Sequence, residues 1–117
     1  MKHIKRFEGL INKSIIEILS YSNQGLTKLP DLSEYINLKD LYCYNNKLTY
    51  LPELPNSLRS LYCNYNNLTS LPELPNSLEF LSCSNNNLPY DNLKEYKEWK
   101  KDPITWEMNK TASKYNI

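Results

Sequence analysis

The sequence predicts a repeat solenoid of the α/β class, in which short units stack side by side and each adds one strand to a parallel β-sheet. The first observation is an internal repeat: residues 51–70 and 71–90 are identical at 13 of 20 positions, and residues 31–50 match residues 51–70 at seven. The second is that a unit this short cannot bury its own leucines, so its neighbours must cover them. The third is a pair of prolines in each of two units, which excludes a helix there. We therefore expect about four parallel strands, extended chain on the opposite side and a helical cap at each end.

Length and charge limit the classes of protein to which this chain could belong. Its 117 residues fit one domain. Its 14 basic and 13 acidic side chains give a net charge of +1, so no strong field attracts nucleic acid or an anionic membrane. The apolar stretch near the N-terminus is interrupted by Glu8, Asn12 and Lys13, which argues against a signal peptide. We expect a cytoplasmic protein that binds neither nucleic acid nor a membrane.

The repeat has a period of 20 residues and reads L-x-x-L-x-C-x-x-N-x-L-x-x-L-P-x-L-P-x-S. The alternation in its L-x-x-L-x-C part is typical of a strand with one buried face. The first unit is degenerate and 22 residues long, with room for a helical or 3-10 turn between Asp31 and Asn37. The pattern predicts strands near residues 18–20, 40–42, 60–62 and 80–82.

These units, over about residues 15–90, resemble leucine-rich repeats of the short 20-residue type. The LPELPNSL segments are similar to repeats of bacterial secreted effectors, and the cysteine-bearing LYCxxNxL segments are similar to repeats of bacteria and giant viruses. The resemblance implies a solenoid whose strands line a concave binding face, and a location in the host cytoplasm if the source is viral or an effector. In some effectors the repeats precede a catalytic ubiquitin-ligase domain, for which the residues after 90 are too few.

The recurring asparagines have a structural and a functional interpretation. The chain leaves the strand and turns inward at Asn46, Asn66 and Asn86, so backbone polar groups there are expected to lose contact with water. A side-chain amide offers donors and an acceptor together, so we expect these residues to satisfy the backbone rather than to bind a ligand. Gln24 takes this place in the first unit, where a longer amide serves less well.

The three cysteines occupy an inward position of the repeat. Free cysteine behaves as a small buried hydrophobe, and neighbouring thiols on parallel strands run side by side rather than toward each other. Zinc usually takes four Cys or His ligands, and the single histidine, His3, lies far away in the sequence. We expect Cys43, Cys63 and Cys83 to pack in the core, with a disulfide as the alternative. We expect no metal and no cofactor.

Both ends depart from the repeat and predict caps for the stack. Residues 1–14 carry the apolar stripe of a short helix, for which a membrane-surface helix is the alternative. A helix is expected from near Asp91, and a second from Asp102 and Pro103, fraying from about Thr111. We expect the tryptophans here to cover the open end of the core, with a tryptophan-rich partner site as the alternative. The domain then divides into an N-terminal cap at 1–14, repeats at 15–90, and a C-terminal helical cap and tail at 91–117.

The outward strand positions form the candidate binding surface. Tyr42 and Tyr62 occupy the same place in consecutive units, so we expect them to be neighbours across two strands. Exposed aromatic residues are enriched at protein interfaces, whereas stiffening of a polar sheet is the alternative. The candidate partner-binding residues are Tyr42, Tyr44, Tyr62, Phe80, Asp40, Asn64 and Tyr65.

The sequence therefore predicts an interaction module that binds a protein or peptide. A single histidine, inward cysteines and the lack of a glycine-rich phosphate loop leave few parts for catalysis, so we expect no enzyme. A structural or assembly component without a dedicated ligand, or a host-directed effector, is the alternative. Four strands give a face only ~15 Å wide, which suits a small ligand and a monomer or weak homodimer.

Overall fold

The computed structural model describes residues 12–115, with side chains up to Ala112. The predicted apolar stripe of the N-terminal cap, Ile4, Phe7, Leu10 and Ile11, lies outside the described residues. The elements in chain order are a 3-10 helix at Lys13–Ile15, four strands and two helices. The strands are β1 at Ile18–Ser20, β2 at Asp40–Tyr42, β3 at Ser60–Tyr62 and β4 at Phe80–Ser82, and the helices are α1 at Leu93–Lys101 and α2 at Pro103–Tyr115.

The four strands form one parallel sheet in the order β1-β2-β3-β4, so each strand pairs with the next one along the chain. The central residues of the strands are in register, with Leu19 beside Leu41, Leu41 beside Leu61 and Leu61 beside Leu81. All four predicted strands are confirmed at their predicted positions. The inward leucine at the centre of each strand explains the register, because a shift of one residue would turn that leucine out of the core.

The core lies on one side of this sheet and is built from rows of equivalent residues. Leu41, Leu61, Cys43 and Cys63 have no exposed surface, and Cys83 is likewise fully buried. The prediction that the cysteines pack in the core is confirmed, and all three thiols are free. The first unit is less complete, since Leu29 and Leu32 are buried but its other core-facing residues are only partly so: Ile16, Leu19, Tyr21 and Leu26.

The asparagine row joins the units by hydrogen bonds, as predicted. Asn66 donates from its side chain to the carbonyl oxygens of Cys43 and Cys63, both at 3.0 Å, and accepts from the Leu48 N–H at 3.0 Å. Asn46 and Asn86 make the equivalent bonds in the units on either side. The Gln24 side chain is exposed instead.

The side of the chain opposite the sheet contains neither helix nor strand at residues 51–55 and 71–75, as the prolines predicted. The serine after each proline pair ties its unit to the one before: Ser57 Oγ donates to the Leu38 carbonyl at 2.7 Å, and Ser77 Oγ donates to the Leu58 carbonyl at 2.6 Å. In the longer first unit, the stretch expected to hold a helical or 3-10 turn forms two separate turns, each closed by a bond between residues three apart. These bonds run from Tyr35 N–H to the Leu32 carbonyl and from Leu38 N–H to the Tyr35 carbonyl.

The two helices follow the last strand. The helix expected near Asp91 is confirmed: α1 begins at Leu93, and Asn92 supplies the capping oxygen to the Glu95 N–H at 2.9 Å. Asp102 caps α2 as predicted, accepting from the Thr105 N–H at 3.2 Å. α2 continues to Tyr115, since no glycine or proline interrupts this stretch, and fraying from about Thr111 stays a prediction. No helix within residues 12–115 has the length and apolar character needed to cross a membrane.

An aromatic cluster lies between the last strand and the helices. Tyr90 is 2% exposed and packs edge-on against Tyr96, with ring centroids 5.1 Å apart. Trp99 contacts the Tyr90 ring at 5.0 Å, and Trp106 Nε1 donates to the Pro89 carbonyl at 2.7 Å. These rings bury the end of the core at β4, which is the position expected for the tryptophans.

Candidate binding face

The sheet has one face toward the core and one face toward solvent. The residues on either side of each central leucine point away from the core because side chains alternate along a strand. The register sets them in two rows, the first through β1 to β4 at the start of each strand and the second at its end. This outer sheet face consists of Ile18, Asp40, Ser60 and Phe80 in the first row and of Ser20, Tyr42, Tyr62 and Ser82 in the second.

Three aromatic rings are in contact across the outer sheet face. Tyr42 and Tyr62 are direct neighbours in register, and their rings lie 4.6 Å apart between centroids with an interplanar angle of 12°. The strand spacing of ~4.8 Å imposes this stacking distance. Phe80 belongs to the other row, yet its ring reaches diagonally to Tyr62 at 4.9 Å and 35°. We call Tyr42, Tyr62 and Phe80 the aromatic row.

The aromatic row presents both apolar and polar surface to solvent. Phe80 is 46% exposed, and Tyr42 and Tyr62 are half-buried by each other. The pKa of the Tyr42 phenol is raised, first by partial loss of hydration and then by Tyr62, Asp40 and Tyr44.

The remaining predicted residues lie beyond the strand ends. Tyr44 was expected near Tyr42 and Tyr62, but it forms no ring pair with the described aromatic residues. It follows Tyr42 by two residues, beyond the end of β2. Asn64 accepts a hydrogen bond from Ser82 Oγ at 3.2 Å. The structure thus brings Asn64 to the edge of the outer sheet face and leaves Tyr44 at its margin.

Tyr65 has an unusual backbone conformation, which the sequence analysis did not anticipate. Its φ is 59°, in the left-handed region, and its side chain is 55% exposed. The other units carry asparagine there, namely Asn23, Asn45 and Asn85, with φ between 55° and 61°. Asparagine tolerates this region far better than a bulky residue does. Asparagine at the equivalent position of the other three units was the sequence signal for this left-handed conformation.

Asp40 is the single charged side chain on the outer sheet face, whose other seven members are neutral. The described ion pairs involve other surfaces: Lys13 with Glu34, Lys110 with Glu95, and Lys100 with Glu73. The face therefore combines aromatic surface with one negative charge.

Shallow cavities lie on the side opposite the sheet. One of about 350 Å³ is bordered by Ile36, Glu53 and Pro55, and a neighbouring one of about 470 Å³ is bordered by Glu53, Glu73 and Pro75. None of the predicted binding residues lines either cavity. We consider the outer sheet face the stronger candidate, because these cavities are gaps between the loops of adjacent units, whereas the aromatic row is an ordered set of rings in mutual contact.

Within the part of the chain that the structure describes, no three His, Cys, Asp or Glu side chains are grouped so as to hold a metal ion. No protein-family model matches the chain, and no curated protein matches it at a significant level of similarity. The case for a function therefore depends on the geometry of the outer sheet face.

Proposed function

We propose that the chain is a leucine-rich-repeat solenoid that binds a segment of another protein on its outer sheet face. The observation that carries this proposal is the aromatic row on the solvent side of a parallel sheet, in which Tyr42 stacks on Tyr62 and the exposed Phe80 ring lies tilted against Tyr62. Aromatic residues bury large area with few torsions to freeze, and they dominate the energetics of many interfaces.

The solenoid part of the proposal is supported by the regularity of the units. Strands 20 residues apart pair in parallel with their leucines in register. The buried amide of Asn66 bonds to backbone groups of its own unit and of the unit before it. Stacked repeats with only nearest-neighbour contacts have this organisation.

Two features favour binding over stiffening of the sheet. The equivalent position in the flanking strands holds Ser20 and Ser82, so a strand forms in this register without a ring. The backbone of Tyr65 carries strain that asparagine at the same place in other units relieves. An exposed tyrosine at a strained backbone position supports a role in recognition.

The dimensions of the face favour a peptide or a protruding loop as the partner. Four strands at ~4.8 Å spacing span about 15 Å. A standard interface buries ~800 Å² on each partner, which exceeds what this face offers alone. A short extended segment lying across the aromatic row fits the available area.

The proposal is tested by selecting ligands from a random peptide library displayed on phage. The informative variant is Tyr42→Ser with Tyr62→Ser, because serine already occupies this register position in β1 and β4. Tyr50→Ser serves as the matched control, since Tyr50 is 54% exposed and lies outside the strands. Circular dichroism establishes that both variants are folded.

We expect selected peptides to bind the unaltered chain and the Tyr50 variant equally. The double variant should bind at least about thirtyfold more weakly, which corresponds to the loss of a hot spot worth ~2 kcal/mol. Equal binding of the selected peptides to the double variant would contradict the proposal. A selection that yields no ligand, together with stable self-association of the chain in light scattering, would also contradict it.

A further inference from the structure

The outer sheet face offers a place for one cation beside the aromatic row. Asp40 is the face's single charge, and it stands two residues before Tyr42 on the same side of β2. Their Cα atoms are therefore separated by ~6.6 Å. A positively charged ligand group that reaches both residues gains from the Asp40 carboxylate, and it must also tolerate contact with an aromatic ring.

The two flanks of the Tyr42 ring differ. One flank is covered by Tyr62, at 4.6 Å between ring centroids. On the other flank the in-register neighbour is Ser20, an exposed residue whose side chain is too short to cover a phenol ring. Serine therefore leaves room above β1 for a planar group parallel to the Tyr42 ring.

Arginine fits this arrangement better than lysine. A guanidinium is planar, stacks on aromatic faces and donates two parallel hydrogen bonds to a carboxylate. A lysine ammonium is a compact and strongly hydrated charge, and it gains less from a ring. We infer that the partner segment carries an arginine whose guanidinium stacks on the Ser20 side of Tyr42 and binds the Asp40 carboxylate. This inference rests on the proposed function and specifies the chemistry of its partner.

The test is an NMR titration of the ¹⁵N-labelled full chain with three capped tripeptides, acetyl-Gly-X-Gly-amide. In these X is arginine, lysine or citrulline, and citrulline keeps the planar shape of arginine but has no charge. The variants are Asp40→Asn, which removes only the charge, and Ser20→Tyr, which fills the space beside Tyr42. Glu53→Gln is the control, because Glu53 is an exposed carboxylate on the opposite side of the chain.

We expect the arginine peptide to give saturable shifts at Ser20, Asp40 and Tyr42, with an affinity at least about fivefold above that of the other two peptides. Asp40→Asn should weaken binding of the arginine peptide by about fivefold. Ser20→Tyr should abolish the shifts that this peptide induces, and Glu53→Gln should leave its affinity unchanged. Equal shifts with all three peptides, or arginine-induced shifts confined to Glu53 and Glu73, would overturn the inference.

Failure of the inference can be distinguished from failure of the proposed function. If library peptides without arginine bind in a manner that requires Tyr42 and Tyr62, the proposed function holds and the arginine site is wrong. If no peptide depends on these tyrosines, the proposed function itself is wrong.

Discussion

The side chain of Asn66 donates a hydrogen bond at 3.0 Å to the carbonyl oxygen of Cys43, which lies 23 residues earlier in the chain. The same amide group also donates to Cys63, and its oxygen accepts from Leu48. Asn66 is only 7% exposed. One side chain thus satisfies backbone groups of two successive units, where water cannot replace it.

Replacing Asn66 with alanine should lower the free energy of unfolding by about 2–4 kcal/mol, because buried backbone groups lose their partners. Urea denaturation measures this change. Asn67→Ala is the matched control, since Asn67 is exposed, and its effect should stay within about 0.5 kcal/mol. Similar losses for the two variants would show that the asparagine row does not hold the units together.

Replacing Tyr65 with asparagine should stabilise the chain by about 0.5–1 kcal/mol, because asparagine adopts a left-handed backbone at lower cost than tyrosine. The reverse change, Asn85→Tyr, should destabilise it by a similar amount at an equivalent φ of 58°. The Tyr65 variant should also bind selected peptides more weakly. A loss of stability on Tyr65→Asn would refute this account of the turn.

The free energy of unfolding should fall as the pH rises above 9. Burial raises the pKa of Cys43 and of Cys83 from 9.0 to about 12, with Asp91 and Glu95 adding to the effect at Cys83. Burial also raises the pKa of Cys63 well above 9.0, with smaller contributions from the two neighbouring thiols. Since the folded-state pKa is the higher one, the stabilisation is complete below pH 9 and is lost as the pH rises toward the folded-state values.

The contribution of one thiol is measured with Cys63→Ala. Each buried thiol adds up to ~1.4 kcal/mol per pH unit to the alkaline slope, so this variant should lose stability less steeply above pH 9. Denaturation at a series of pH values gives the two slopes. Identical slopes, or modification of Cys63 by a thiol reagent in the folded protein at neutral pH, would be inconsistent with a buried thiol.

Replacing Trp106 with phenylalanine should cost about 1 kcal/mol, because the indole N–H that bonds to the Pro89 carbonyl at 2.7 Å is removed. Met108→Leu is a suitable control on the same helix, since Met108 is 65% exposed. Thermal denaturation of both variants provides the comparison. An unaffected Trp106 variant would mean that α2 contributes little to holding the end of the core.

The strands and the neighbouring tyrosines were predictable because the period of the repeat determines both. A leucine at the centre of every strand fixes the register of the sheet, and Tyr42 and Tyr62 share one place in the repeat. Phe80 was expected near these tyrosines, but its tilted contact with Tyr62 joins different register positions and depends on side-chain torsions. The sequence located the start of α1 only approximately, because adjacent Asp91 and Asn92 are both good N-caps.

Other parts of the site have no simple sequence signal. The left-handed backbone of Tyr65 is visible only after alignment with three asparagines that adopt the same conformation. The cavity between residues 31–36 and 53–56 depends on how loops of unlike length meet, which the repeat does not specify.

Mapping the footprint of a selected peptide by NMR tests the central claim most directly. The claim is that the outer sheet face, and not the loops opposite it, binds the partner. We expect the largest amide shifts at Asp40, Tyr42, Tyr62 and Phe80, with little change at residues 51–55 and 71–75. A footprint centred on those two loop segments or on α2, with the aromatic row unaffected, would contradict the account.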